Sequence, residues 1–393
     1  MPASMLWYNM NEWMNDMFFE KRAVLKEKGL HREIRDRTSP QGPRVRFNGK
    51  VYINFSSNDY LGLSNQPDMV MRSEKALNTF GCGSGASRLL GGGCTLHMAL
   101  EEKVARFKGT ERALVFNSGY AANTGIIPAI TNEKDVIFSD ELNHASIIDG
   151  CRLSKARVLV YRHKDMVHLE NLMREASAGK KIVITDSVFS MDGDIAPLDD
   201  LFNICKKTNA ILYIDDAHGT GVLGNGRGAL SHFQLEPEPW IVQMGTFSKA
   251  LGSFGAFVAG SSDVIAWILN TARSFIFSTA LPACVVAASR AALEIIENNP
   301  DMVKSLWAKT DTFIKGAEKL GMNRTAIETP IIPIKTATVE DALRISRKLF
   351  HHGIFVPSIR PPTVKEPRIR ITITAAHTYN DIEKLIMELR EIL

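Results

Sequence analysis

Apolar residues recur in short, nearly unbroken runs through the middle of the chain: Ala113–Phe116, Val136–Ser139, Val158–Tyr161, Ile182–Asp186, Ile211–Asp215, Ile241–Met244 and Ala256–Ala259. They lack the polar–apolar alternation of a half-solvated strand. Strands of that kind are covered on both faces, as in a parallel sheet flanked by helices. Stretches of helical pattern separate the runs. From about Ile295 the pattern changes to helix (Asp301–Leu320), strand (Ile331–Lys335), helix (Val339–His351), strand (Ile369–Thr374) and helix (Tyr379–Leu393), a small α+β domain. At the other end, Met10 to Lys28 carries aromatics and methionines at helical spacing. Pro40, Gly42 and Pro43 then interrupt the helical pattern, so residues 1 to about 50 read as an amphipathic helix and a loop. Packing against the body or a second subunit accounts for that stripe. The expected organisation is an arm (1–55), a large α/β domain (56–292) and a small domain (293–393).

Composition narrows the class. Of 393 residues, 45% are hydrophobic and 23% charged, which is globular and excludes a disordered chain. Lys and Arg number 47 against 43 Asp and Glu, an excess of +4 that is too small and scattered for a nucleic-acid or membrane-surface protein. Five cysteines without a C-x-x-C pair fit reduced thiols better than a disulfide or metal framework. No basic start with an apolar core opens the chain, and no apolar run nears the ~20 residues of a membrane helix. The expectation is a cytoplasmic protein without a metal site.

Chemistry concentrates where strands end. Val242-Gln-Met-Gly-Thr-Phe-Ser-Lys249-Ala-Leu-Gly closes a strand with small and hydroxyl residues, then a lysine. A lysine there can hold an aldehyde as a Schiff base, with desolvation lowering its pKa, and Thr246 and Ser248 can face a phosphate. Taken alone, a lysine after a strand is usually a solvated surface residue. Ile211-Leu-Tyr-Ile-Asp215-Asp216-Ala-His218 ends a buried strand in two carboxylates and a histidine. Open α/β sheets bind ligands at these strand ends, and a buried carboxylate needs a positive partner. A protonated pyridine nitrogen is one such partner; helix capping or an ion pair is the alternative. In Phe116-Asn-Ser118-Gly119-Tyr120 a helix start follows a strand, a place suited to an anion. His144 and Ser190 also follow strands, where a capping role is the alternative to a ligand contact. The glycine-rich stretch Gly81–Gly93 is neither a dinucleotide fingerprint nor a P-loop, and reads as a loop needing close backbone approach.

Phe55-Ser-Ser-Asn58-Asp-Tyr-Leu-Gly-Leu63, Ser118-Gly-Tyr120, Asn143-His-Ala-Ser146, Val188-Phe-Ser-Met-Asp-Gly193, Asp215-Asp-Ala-His-Gly-Thr-Gly221 and Thr246-Phe-Ser-Lys249 occur in one order along the chain. That series resembles the α-oxoamine synthase family over nearly the whole length. The resemblance implies a pyridoxal 5'-phosphate-dependent transferase of fold type I, with a large domain built on a mostly parallel seven-stranded sheet, a small C-terminal α+β domain and an N-terminal helical arm. It implies an acyltransferase that condenses an amino acid with an acyl thioester, of coenzyme A or a carrier protein, with loss of CO2. Lys249 would bind the cofactor covalently and then move the amino acid's Cα proton. Asp215 would face the ring nitrogen, His144 would stack on the ring, and His218 would bond the ring hydroxyl or the substrate carbonyl. Gly119, Tyr120, Ser190 and Thr246 would contact the cofactor, and Ser278 and Thr279 would reach the phosphate of a neighbouring subunit in a homodimer. Arg370 would clamp the amino-acid carboxylate, and Arg32, Asn58 and Thr363 would line the substrate site. Ile359-Arg-Pro-Pro-Thr-Val364 and Arg368-Ile-Arg370-Ile-Thr resemble the branch that joins L-alanine to a pimeloyl thioester in biotin synthesis. Ser139–Gly150 also suits the branch that joins glycine to acetyl-CoA. Tyr120 stands where that family commonly has phenylalanine, and the loop Lys365-Glu-Pro367 is shorter than its usual pattern.

Overall fold

A computed structural model describes residues 3–177, 179–319, 321 and 327–393, with side chains from residue 14 onward. The apolar runs form one seven-stranded sheet: β3 (Arg112–Phe116), β4 (Val136–Asp140), β5 (Arg157–Tyr161), β6 (Lys181–Asp186), β7 (Ile211–Asp215), β8 (Ile241–Thr246) and β9 (Ala256–Gly260). They come after β1 (Arg44–Phe47) and β2 (Lys50–Asn54) in the chain. The order across the sheet is β3-β9-β8-β7-β6-β4-β5. Only β9 runs against its neighbours β3 and β8, and the pairs from β8 to β5 are parallel.

Continuous apolar sequence works here because alternate residues feed two cores. Leu212 and Ile214 of β7 pack under helices Thr95–Lys108, Leu198–Thr208 and Ala283–Asn298. Tyr213 packs on the opposite face with helices Gly119–Ala129, Ala145–Leu153 and Ser262–Thr271. The same two-residue period separates the adjacent carboxylates Asp215 and Asp216.

The C-terminal part forms an antiparallel sheet of β10 (Ile331–Lys335), β12 (Ser358–Ile359) and β13 (Arg368–Thr372), in the order β10-β13-β12. Helices Asp301–Glu318, Val339–His351 and Tyr379–Ile392 cover it through Phe313, Leu349 and Leu385. The expected helix end at Leu320 lies outside the described residues. The N-terminal helix is present as Ala3–Glu27, with Phe18 and Phe19 exposed.

One reading needs correction. The stretch expected to be a loop up to residue 50 holds the hairpin β1–β2, in register Arg44↔Ile53 to Phe47↔Lys50. Asn48 and Gly49 both have positive φ, 46° and 78°, which a two-residue hairpin turn of this hand requires. Val45, Phe47 and Tyr52 face inward while Arg44, Arg46 and Val51 face out. The signal is in the sequence, and the prolines before it hide it. β2 also pairs in parallel with β11 (Ile354–Phe355), and Phe55 enters the core of the C-terminal sheet.

Behind the large sheet, Lys108 closes its helix by placing Nζ 2.8 Å from Asp216 Oδ2, with both side chains almost fully buried. Ser187 Oγ, Thr220 Oγ1 and the Ala229 N–H also donate to Asp216. Asp216 therefore takes the ion-pair role, which leaves Asp215 free for the other face. Removing one partner of a buried pair strands the other charge. Lys108→Met is expected to cost about 3–5 kcal/mol in denaturant unfolding, with Lys108→Met/Asp216→Asn recovering part of it.

Candidate active site

Three neighbouring parallel strands end in a carboxylate: Asp140 on β4, Asp186 on β6 and Asp215 on β7. Asp186 and Asp215 are register partners, so two acids sit side by side at the carboxyl edge of the sheet.

Asn123 organises this edge. Tyr213 OH donates to its Oδ1 at 2.7 Å, and its Nδ2 donates to Asp215 Oδ2 and Ser146 Oγ, both at 2.8 Å. The Ala217 N–H donates to Asp215 Oδ1 at 3.0 Å. Ser146 Oγ, already accepting from Asn123, gives its proton to His144 Nδ1 at 2.8 Å. His144 caps helix Ala145–Leu153, and its N–H donates to Asp186 Oδ2 at 2.7 Å. One asparagine thus fixes both the acid of β7 and the imidazole beside it.

Lys249 lies just beyond β8, where its carbonyl accepts the Gly252 N–H at 2.8 Å. Desolvation brings its ammonium down to about 8, against the pull of Asp215 and Asp186 and with help from Arg370. Burial raises Asp186 well above the carboxylate range, and the Asp215 charge adds to that. Burial also raises Asp215, but Lys249 and the Asn123 bond oppose the rise, so Asp215 keeps more anionic character. His144 is lowered by burial and by Lys249, against Asp215. These mutual fields place Lys249, Asp215, Asp186, His144 and Arg370 in one site.

His218 is buried, with Nδ1 2.7 Å from Tyr60 OH. Burial holds the Tyr60 phenol up at about 12, and the next acceptor, Asn58 Oδ1, is at 3.5 Å. The phenol therefore donates to Nδ1, and the imidazole carries its own proton on Nε2. Burial, then Lys249 and Arg370, push its pKa far down, so His218 is a neutral donor.

Arg370 on β13 is buried, with Nε donating to Ser190 O at 2.6 Å, one terminal nitrogen to Thr372 Oγ1 at 3.0 Å and the other to Asn58 Oδ1 at 3.1 Å. A guanidinium has five N–H groups. Those three bonds and a fourth to the Tyr60 hydroxyl leave one N–H, which a carboxylate oxygen can take.

The remaining expected residues lie around this centre. Gly119 and Tyr120 open the helix that Ser118 caps. The Tyr120 side chain is exposed and its hydroxyl donates to Asp149. Ser190 acts through its carbonyl. Thr246 spends its proton on Gly255 O at 2.7 Å and bonds Ser248 Oγ, which leaves the exposed Ser248 hydroxyl nearer to solvent. Thr279 pairs with Ser87 in an isolated bridge, and its carbonyl accepts from Asn117 Nδ2 at 2.8 Å. Ser278 lines a small cavity with Arg88 and Asn117. Arg32 donates to Pro361 O at 3.2 Å. It lines a cleft of ≈640 Å³ with Arg35, Arg37, Arg347 and Arg360. Thr363 is exposed, its N–H bonded to Arg360 O. Sequence reasoning missed Asn123, Asp186, Tyr213 and Tyr60. For Asp186 the signal was present: like Asp215, it is a carboxylate ending an apolar run.

The donor set fits pyridoxal 5'-phosphate. Lys249 offers an amine with a depressed pKa, Asp215 has lone pairs beyond its two bonds for a ring N–H, and His218 offers an N–H.

Residues 50–389 match the aminotransferase class I and II family. The 8-amino-7-oxononanoate synthase of Geobacter sulfurreducens is 46% identical over 94% of this chain and 95% of its own. That of Thermoanaerobacter pseudethanolicus is 44% identical over 96% of both. Among solved structures, the serine palmitoyltransferase of S. paucimobilis with bound PLP–myriocin aldimine superposes with a TM-score of 0.90 at 29% identity, over 96% of this chain and 97% of its own. The chain belongs to the class I and II aminotransferase family, and within it to the α-oxoamine synthases. An α-oxoamine synthase of this fold type has the large parallel sheet and small C-terminal sheet described above, as the sequence led us to expect.

The depressed Lys249 pKa gives a test with a definite sign. The neutral amine, which attacks an aldehyde, predominates above about 8. Recombination of the apo-protein with pyridoxal phosphate, monitored by absorbance, is expected to speed up with pH and level off above that value. Asp215→Asn removes a charge that raises the Lys249 pKa, so the inflection moves down; Lys249→Ala retains no borohydride-fixed cofactor.

Proposed function

We propose that this chain condenses L-alanine with a pimeloyl thioester to give 8-amino-7-oxononanoate, CO2 and the free thiol carrier, a step of biotin synthesis. The observation that carries the reading is the meeting, in one site, of a desolvated lysine amine and a buried arginine with an N–H left for a carboxylate. The names of the relatives at 44–46% identity support the choice of substrates.

The bond formed joins the alanine Cα to the acyl carbonyl carbon. The bonds broken are Cα–H, C–S to the carrier and Cα–carboxylate, the last releasing CO2, and a proton returns to Cα where the carboxylate left. Bound pyridoxal phosphate supplies the sink for the electron pair at Cα. Lys249 and Asp215 would hold it, the first through its amine and the second by keeping a proton at the ring nitrogen. The N–H groups at Gly119 and Tyr120, together with Ser248 and Thr246, would lie at its phosphate, and His144 against its ring. Arg370 binds the alanine carboxylate and orients Cα. Lys249, once released, takes the Cα proton, which its low pKa permits near neutrality. The His218 Nε2–H donates to the oxygen that gains charge. Arg32 and Thr363 would border the acyl donor, and the arginine-lined cleft suits its anionic parts.

A homodimer and a cytoplasmic setting belong to the same proposal. The exposed Leu89, Leu90, Phe254 and Phe277 support the first, because the Ser87–Thr279 bridge ties two of these loops together at Ser278 and Thr279. The five free thiols support the second.

A panel of alanine, glycine and serine against acetyl, pimeloyl and palmitoyl thioesters tests the reading. Alanine with the pimeloyl donor is expected to lead in kcat/KM by about tenfold or more. Preference for glycine with acetyl-CoA would overturn the substrate assignment, and parallel coenzyme A and carrier-protein thioesters identify the carrier.

A further inference from the structure

We propose that His163, outside the cofactor site, is a positioning residue for the carboxylate-binding arginine, acting through the loop Phe189–Asp194. The inference rests on the reading of Arg370 as the carboxylate site.

His163 comes after β5 and lies between two acids. Its Nδ1 is 2.9 Å from Asp140 Oδ1 and its Nε2 is 2.7 Å from Asp194 Oδ2. Ionised carboxylates only accept, so both ring nitrogens carry protons and the ring is an imidazolium. Its edge meets Phe189 at 4.4 Å between centroids and 88° between planes. Other charged groups also face it. Glu141 Oε1 accepts the His163 N–H at 3.1 Å, and Lys164 Nζ is 3.3 Å from Asp194 and 3.6 Å from Glu328, just before β10. Burial alone lowers the imidazole pKa, but the bonds to Asp140 and Asp194 outweigh it and raise it to about 9.

The loop held by this cation is tight. The Phe189 N–H donates to Asp194 O at 3.0 Å and the Gly193 N–H to Phe189 O at 2.8 Å. Gly193 has φ +73°, and a Cβ there would lie 2.2 Å from Ile331 O, so the loop presses directly on β10. From that side Thr329 Oγ1 donates to Gly193 O at 2.7 Å, and Arg368 donates to Asp192 Oδ1 at 2.6 Å and Met191 O at 3.1 Å. Between these anchors, Ser190 O receives Arg370 Nε. The loop is fastened to the small sheet by Thr329 and Arg368, and on the large-sheet side by His163, with Lys164 beside it, through Asp194. Releasing the second fastening lets Ser190 O, and with it the plane of the guanidinium, drift from the position that fits a carboxylate. A charge-assisted bond from a planar guanidinium is directional and has little tolerance for such drift.

The test uses holoenzyme without thioester, so that L-alanine binding is read from the absorbance of the bound cofactor. His163→Gln, which keeps one donor and no charge, is expected to raise the alanine Kd about tenfold. Cofactor retention should stay within about twofold, and in a separate turnover assay so should the thioester KM, a split that general loosening would not give. Because glutamine does not titrate, the ratio of variant to wild-type Kd should fall toward one as pH rises through about 9. Thr329→Val loosens the loop from the opposite side and should move the alanine Kd in the same direction; it carries the test if His163→Gln does not fold. Unchanged alanine binding in the folded His163→Gln protein, or in Thr329→Val when the former is insoluble, overturns the proposal. So does parallel loss of alanine and cofactor. Arg370→Lys separates the two claims: if it leaves the alanine Kd unchanged, the reading of Arg370 fails first.

Discussion

A carboxylate kept anionic where water is excluded is the constraint on which this molecule turns. Left alone at the end of β7, Asp215 would take up a proton, since burial disfavours its charge. Two bonds and one cation oppose that: the Asn123 amide, the Ala217 N–H and the Lys249 field. Its neighbour Asp186 is raised further and relieves the repulsion between the pair. Every other polar group in the site is arranged around this distribution. Asn123 can reach Asp215 only because Tyr213, two residues earlier on the same face, holds its carbonyl oxygen. The same amide orders Ser146, and through it the tautomer of His144.

The constraint also explains the use of two adjacent aspartates. A strand's two-residue period sends Asp215 and Asp216 to opposite faces. One faces Asn123 and the field of Lys249, and the other closes a hydrogen-bonded pair with Lys108 under the opposite core. The second therefore anchors the strand end from behind, and its bond to Ser187 ties the end of β7 to the segment leading to Ser190.

The large sheet was readable because a strand covered on both faces leaves an apolar run, as β4, β6, β7, β8 and β9 do; β5 leaves such a run too, but at the sheet edge it exposes Val158 and Val160, against the expectation of cover on both faces. Lys249, Asp215, His144 and His218 were readable for a related reason: a polar residue ending such a run has few places to go. Asn123 and Tyr60 were not. Each lies in an ordinary helix or turn, and its importance arises from a partner far away in sequence, Asp215 for one and His218 for the other. The hairpin β1–β2 was hidden for a different reason. Its alternation and Asn48-Gly49 turn are local, but the prolines just before it suggest irregular chain, and the partner that completes the sheet is Ile354.

That pairing bears on the order in which the molecule is made. β2 leaves the ribosome long before Gly353, whose carbonyl accepts the Ile53 N–H, and before Asp381, which pairs with Arg44. At about 5–20 residues per second the hairpin waits on the order of fifteen seconds to a minute for its partners. The sheet of β3 to β9 is fully translated well before that and can close first. Arg370, on β13, follows Lys249 in the chain and at the same rate is made about six to twenty-four seconds later. The nascent polypeptide thus acquires the lysine and aspartate of the large sheet before the arginine of the small one.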